Sequence, residues 1–512
     1  MQEGRQTNWK ALTRVVMATL AILLQALLMF MIVRFLERTA TLVYSGMELL
    51  GLGIALMMLS SHESPAYRNA WAMIVLLLPV FGLLLYLMWG RGAMSNRERF
   101  NIRAAFDTGN AELSQCEAVM GRFYEQHPER VRMAKLLLMN HFPMYQGTAI
   151  EYFKAGELQF QRMFEDFERA ERFIFLEFFI VADGKLLEQA LDILFRKAGQ
   201  GVDVRLLIDD TGCLFSLRPE TRRRITQAGI KLERFNPMLR YISNLYFNYR
   251  NHQKIVVIDG NIGYTGGTNL ADEYANLTKK HGYWKDTALR LEGEAVWSLT
   301  VFFLQMWDTA RHSVTGDFTP YRPVYSMPGV GFIQPMSDGP ALDPNNPGED
   351  AYKELISSAK RYVYITTPYL VIDYSLVDIL CRAASSGVDV RIVTPSHTDH
   401  WYVFIVTRSF YRPLLKAGVR VYEYQPGFIH AKMLVCDDDQ AMVGTINMDY
   451  RSFNLQYEDS VYICGDPIVD SVKADINDIF LSSHEITLEE WSRRPFYTRW
   501  VSGVFNLFAP LM

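Results

Sequence analysis

The sequence predicts an α/β fold of two similar halves related by a pseudo-twofold axis, preceded by an N-terminal transmembrane helical anchor. Three observations lead there. A stretch at residues 252–269, HQKIVVIDGNIGYTGGTN, returns at 430–447 as HAKMLVCDDDQAMVGTIN. Segments around it repeat as well: GVDVR occurs at 201–205 and 387–391, and AGIKLERFNP at 228–237 matches AGVRVYEYQP at 417–426. The first 90 residues differ from the rest in being dominated by uncharged apolar runs.

From the N-terminus, 15–33 and 70–89 are uncharged and long enough to cross a hydrocarbon core. A third run, 42–59, is interrupted by Glu48, which reads as a snorkelling or helix-packed carboxylate. Residues 1–92 are therefore expected to form a membrane anchor of two or three helices. The first run is too long for a cleaved signal peptide. Arg91, Arg97, Arg99 and Arg103 follow the last run and place the remainder on the cytoplasmic side. Three spans would put Arg5, Lys10 and Arg14 on the outer side, and two would not. The net charge of −4 gives no electrostatic case for nucleic acid as a partner. Five scattered cysteines without CxxC spacing argue against a disulfide framework or structural zinc.

Residues 93–150 read as a mixed, helical connector. The first half is expected over 151–325 and the second over 326–484. Each alternates strands and helices before its motif, which predicts a mixed or parallel sheet covered by helices. The offset between halves is 186–189 residues until the motifs, where it drops to 178, so about ten extra residues precede His252. They lie in MLRYISNLYFNYRN (238–251), which, with DHWYVFIVTRSFYRP (399–413), could line an apolar, arginine-tipped approach to a site. His397 and His400 lack the carboxylate or cysteine company of a metal site and read as loop or substrate contacts. Residues 485–512 mix Arg with aromatics and suit either a membrane surface or packing on the domain.

In both motif copies a Lys follows the His by two residues: Lys254 after His252 and Lys432 after His430. Strand alternation puts each pair on one face. Asp259 and Asp437, an odd number of residues further on, fall on the other face and read as structural. An imidazole can act as nucleophile or acid near neutral pH, and fixed ammonium groups can hold a phosphate oxyanion. Two such sets facing each other could cleave and re-form a phosphodiester. Packing alone does not call for duplicated spacing, so incidental basic residues on two buried strands are the weaker reading.

The paired HxKxxxxD…GxxN pattern resembles the signature of the phospholipase D superfamily. RSFNLQYE (451–458) and the series Trp71, Pro79, Gly82, Tyr86, Gly90 are similar to the bacterial cardiolipin synthases within it. The resemblance implies phosphatidyl transfer between two phosphatidylglycerol molecules at the inner membrane, with a phospholipid partner and without metal or cofactor. It implies His252 as nucleophile, forming a phosphohistidine, and His430 as acid and base. Lys254, Lys432, Asn269 and Asn447 would hold phosphate oxygens, and Asp259 and Asp437 belong to the motif's catalytic set. An acidic residue past each motif would orient the opposing or the adjacent His, for which Asp286 and Glu458 are the candidates. A phospholipase D using water and a phosphatidylserine synthase using serine share these motifs. An inactive scaffold would have no reason to keep both His–Lys pairs. Gly267 departs from the Ser or Thr of many members, whereas Thr445 keeps the hydroxyl.

Overall fold

The computed structural model describes residues 38–60, 65–89, 96–237, 249–340, 346–494 and a few isolated positions near each end. The expected span at 15–33, the segment 238–248 and most of the C-terminal tail lie outside the described residues. The chain divides into two compact units, Met1–Met94 with Ile242–Asn248, and Ser95–Tyr241 with Tyr249–Pro510.

In the larger unit one sheet orders its strands Thr148–Phe153, Ala288–Gly293, Ile262–Gly266, Ile255–Ile258, Phe173–Phe178, Asp203–Asp209 and Lys231–Phe235. A second sheet repeats that order with Phe332–Asp338, Gln456–Cys464, Gln440–Gly444, Met433–Cys436, Tyr362–Thr366, Asp389–Pro395 and Arg420–Tyr424, then adds Ser483–Ile486 at its far edge. In both sheets the last three shared strands run parallel and the others antiparallel. The parallel strands are linked by helices, Lys185–Gly199 and Pro219–Gln227 in the first half, as right-handed crossovers require. Apolar strands such as FIFLEF (Phe173–Phe178) are buried on both faces because helices cover the sheet. The halves begin at Thr148 and end at Ile486, slightly outside the limits expected from the repeat.

The stretch before the first half is a covering layer, not a spacer. Its helices Asn96–Ala111, Glu117–Gln126 and Val131–Met139 belong to the larger unit. Val296–Arg311 is apolar nearly all round and needs a partner on that side; Gln305 donates to Phe106 O (3.1 Å) and to Asn110 Oδ1 (2.9 Å). Buried Arg130 reaches the second half and pairs with Asp437 (3.2 Å) and Asp439 (2.9 Å).

The motif aspartates correct the expectation of a strand face. Each motif strand is only four residues long, so Asp259 and Asp437 stand beyond it in the hairpin turn, at the opposite end from the histidine. Both adopt left-handed backbone, φ 53° and 54°. Asp259 accepts hydrogen bonds from the backbone N–H groups of Glu171, Arg172 and Phe173, and Asp437 from those of Lys360, Arg361 and Tyr362. They tie the hairpin to the start of the neighbouring strand.

In the N-terminal unit, Arg38–Leu59 packs with two short helices, Pro65–Leu77 and Pro79–Trp89. The run 70–89, expected as one span, is divided at Pro79, which cannot donate to the preceding turn. Gly82 lies so close to the Ile74 carbonyl that a Cβ would sit 2.2 Å from its oxygen, so the second helix folds back on the first. Trp71 is wedged edge-on between Tyr67 and Tyr86 in a core with Ala55, Met58, Ala72 and Val75. Among the described residues, no helix is long and apolar enough to cross a membrane.

Asp437 holds three backbone donors and a buried guanidinium, whereas Asp259 holds the backbone donors alone. Asp437→Ala is expected to destabilise the protein by about 3–5 kcal/mol and Asp259→Ala by about 1–3 kcal/mol. Denaturant melts of both variants check this, and an equal or smaller loss for Asp437→Ala contradicts it.

Candidate active site

Two short parallel ladders join the halves and deliver the histidines. Arg250–Asn251 pairs with Gln456 and Tyr457 of the second half, and Gly427–Ile429 pairs with Tyr283–Lys285 of the first. A side chain at Gly427 would meet the Tyr283 backbone at 2.3 Å, so that approach requires glycine. One residue further along each ladder, His252 N–H donates to Tyr457 O (2.8 Å) and His430 N–H to Lys285 O (2.7 Å). The next residue on each partner strand is a buried carboxylate. His252 Nδ1 therefore meets Glu458 (2.9 Å to either oxygen), and His430 Nδ1 meets Asp286 (2.7 Å). Each histidine is oriented by the opposing half, and the alternative of an adjacent carboxylate is excluded.

The two carboxylates are seated differently, which explains the Gly267 departure. A Cβ at Gly267 would lie 2.0 Å from Asp286 Oδ1, so the shorter carboxylate needs the space. In the second half Thr445 occupies the matching position and donates to Glu458 (2.5 Å), as does Ser452 (2.6 Å).

Lys254 and Lys432 are buried, and each Nζ donates to the carbonyl of its own motif histidine. Among the described residues, the remaining ammonium protons have no hydrogen-bond acceptor. The asparagines divide. Asn269 is committed to the fold, accepting from Ile180 N (2.9 Å) and donating to Tyr274 OH (2.8 Å). Asn447 is buried, and its side-chain Oδ1 has no hydrogen-bond partner among the described residues.

Sequence reasoning missed the walls of the site. Phe179 stands edge-on to His252 (5.1 Å), while Tyr274 (5.5 Å) and Trp284 (5.4 Å) enclose His430. Trp284 is two residues before Asp286 and could have been suspected from alternation; nothing marked Tyr274 or Phe179. Ser452 and buried Asp459, which accepts from Lys254 N (3.3 Å) and Thr265, also went unrecognised. His397 contacts Ser396 and His400 pairs with Asp399 (2.8 Å), in the loop before helix Trp401–Ser409.

Burial and the nearby lysines dominate the electrostatics. Burial first, then Lys254 and Lys432, holds His252 well below its ordinary value, and burial with Lys432 brings His430 down to about 4. Burial also lowers Lys254 to about 8 and Lys432 to about 7. For Asp286 burial alone would raise the carboxyl, but His430 and Lys432 outweigh it and keep it ionised. The resting imidazoles are thus neutral. Burial raises the Glu458 carboxyl well above its ordinary value, whereas Asp286 stays ionised, so His430 directs Nδ1–H at it and presents a bare Nε2.

These shifts fix the sign of a pH effect. Unfolded imidazoles bind a proton near 6.5, whereas folded His430 does so only near 4. In that window the unfolded chain binds more protons, so stability falls as pH drops from 6.5 toward 4 and is level above 6.5 for these groups. His252→Gln/His430→Gln is expected to flatten that slope in denaturation midpoints taken across the window; an unchanged slope contradicts the assignment.

A family model described as cardiolipin synthase, PLD-like domain, matches residues 163–305 and 352–480, and one described as phospholipase D–nuclease N-terminal matches 52–91. The major cardiolipin synthase ClsA of Bacillus subtilis is 35% identical over 86% of this chain and 93% of its own. A cardiolipin synthase of Geobacillus kaustophilus is 35% identical over 90% and 91%. A crystal structure of phosphatidylserine synthase from Haemophilus influenzae shares the fold, with a TM-score of 0.58 at 16% identity over 74% of this chain and all of that one. Both histidine motifs fall inside the matched segments, and the relatives align over nearly their whole length: the chain belongs to the cardiolipin synthase family of phospholipase D-like enzymes.

Proposed function

We propose that this enzyme transfers a phosphatidyl group from one phosphatidylglycerol to another, forming cardiolipin and releasing glycerol. The observation that carries the mechanism is the pair of buried imidazoles, each with Nδ1 on a carboxylate of the opposite half, beside two lysines. A phosphodiester entering between Lys254 and Lys432 brings the negative charge that these buried cations lack. The same charge restores proton affinity to the histidines, so His430 gains its proton as substrate binds. His252 Nε2 then attacks phosphorus, and the bond from phosphorus to the glycerol oxygen breaks as His430 protonates that oxygen. His430, now neutral, takes the proton from the terminal hydroxyl of the second lipid. That oxygen attacks the phosphohistidine, the P–N bond breaks, and His252 is restored. Asn447 is the amide placed to meet a phosphate oxygen; Asn269 has both ends occupied.

The N-terminal unit supports a membrane location. Leu49, Leu52, Leu56, Met57, Leu76 and Leu77 are exposed on its helices, an apolar surface that lipid would cover. The arginines at 91–103 favour a cytoplasmic catalytic unit.

The test is to give the purified protein vesicles of labelled phosphatidylglycerol alone, with carbonate-washed membranes retaining the chain. Cardiolipin and glycerol are the expected products; phosphatidic acid alone overturns the reading in favour of hydrolysis. With an activated phosphatidyl ester, whose leaving group needs no proton, His430→Ala should still acquire alkali-stable label and His252→Ala should not. The reverse pattern exchanges the two roles.

A further inference from the structure

The sites for one phosphodiester leave a question: the acceptor in this reaction carries a phosphodiester of its own. Its attacking hydroxyl ends a three-carbon glycerol whose other end is esterified to phosphate. When that hydroxyl reaches the phosphohistidine, a second anion stands one glycerol length from the reacting phosphorus. Water and short neutral alcohols bring no such charge.

We propose that Arg451 binds the phosphodiester of the acceptor lipid and so selects phosphatidylglycerol over neutral acceptors; this rests on the transfer reaction proposed above. Arg451 is the second residue of the short helix Tyr450–Leu455, four residues after Asn447 and next to Ser452, which holds Glu458. It is partly buried. With the Gln456 amide oriented so that its nitrogen donates to Glu458 (3.0 Å), its oxygen accepts from Arg451 Nε (3.2 Å). One edge of the guanidinium is thereby tethered to the carboxylate that orients His252. The terminal Nη1 and Nη2 fork makes no hydrogen bond or ion pair with any described residue.

Acidic groups around it are already engaged. Asp449 caps its own helix by accepting from Ser452 N (2.7 Å). Asp209 accepts from the backbone of Thr211 and Asn251 and from the Arg250 guanidinium (3.3 Å). Arg250 adds like charge, and with burial it lowers Arg451 from its ordinary value. Elsewhere in this unit, buried arginines have carboxylate partners: Arg130 with Asp437 and Asp439, Arg290 with Asp166. A shielded cation without one is costly unless a ligand supplies the anion. Arg451 is also among the charges that depress His252. A planar fork matches a phosphodiester in two-point contact, which a lysine ammonium cannot reproduce.

The experiment sets two acceptors in competition on the full-length enzyme: labelled phosphatidylglycerol in mixed micelles with ethanol added, reading cardiolipin against phosphatidylethanol. Both products draw on the same phosphohistidine, so their ratio reports acceptor choice alone. Arg451→Gln is expected to lower the cardiolipin to phosphatidylethanol ratio by about ten- to a hundredfold, and Arg451→Lys by less. Any variant that makes phosphatidylethanol is folded; if Arg451→Gln makes neither product, Arg451→Lys decides. An unchanged ratio, including a proportional fall in both products, overturns the inference and assigns Arg451 to the donor phosphate or to packing. Wild-type protein yielding phosphatidylethanol without cardiolipin would instead overturn the transfer reading itself.

Discussion

Glu458 in the second half holds His252 in the first, and Asp286 in the first holds His430 in the second. Neither half contains a complete imidazole–carboxylate pair, so the site exists only when the two sheets are joined. Two ladders of two and three residue pairs set that register. A slip of one residue in either would turn the carboxylate away from its histidine, because side chains alternate along a strand. The pressure for precision falls on small features: the glycine at 427, the glycine at 267, and the aspartates that pin each motif hairpin at its far end.

The same crossing sets the charge balance. Four basic groups, two imidazoles and two ammonium groups, share a buried space with the two carboxylates. Burial disfavours every charge there, so the resting site keeps its imidazoles neutral and its lysines easily deprotonated. A phosphodiester is the partner that relieves this, since its charge favours the protonated lysines and the imidazolium. The protein holds a site that is electrostatically incomplete without substrate, and Arg451 extends that condition outward to a second anion.

Much of this was legible in the chain. Two similar sheets covered by helices could be anticipated because the repeats extend through flanking strands and helices, and the His–Lys pairs because duplication at fixed spacing has no packing explanation. Glu458 and Asp286 were identified as carboxylates, but the direction of pairing depends on ladders between residues 144 and 206 positions apart, which no local pattern records. Asp259 and Asp437 were placed on a strand face because alternation was counted on from the Lys, past the four residues that pair. Asn269 was expected to hold a phosphate oxygen, and its contacts with Ile180 and Tyr274 are set by tertiary packing. Pro79 was visible, yet its power to fold 70–89 back on itself depends on Gly82 admitting the Ile74 carbonyl. Arg451 stood within RSFNLQYE, and its lack of a counter-ion among the described residues appears only once its neighbours' commitments are known.

Imidazole nitrogen resonances test the crossed arrangement most directly. With histidine labelled at both ring nitrogens and His252 and His430 assigned by substitution, each should appear at neutral pH as the tautomer protonated at Nδ1. Glu458→Gln should shift the His252 signals and leave those of His430 nearly in place, and Asp286→Asn should do the opposite. If each substitution instead perturbs the histidine of its own half, or neither, the two halves do not complete each other's site.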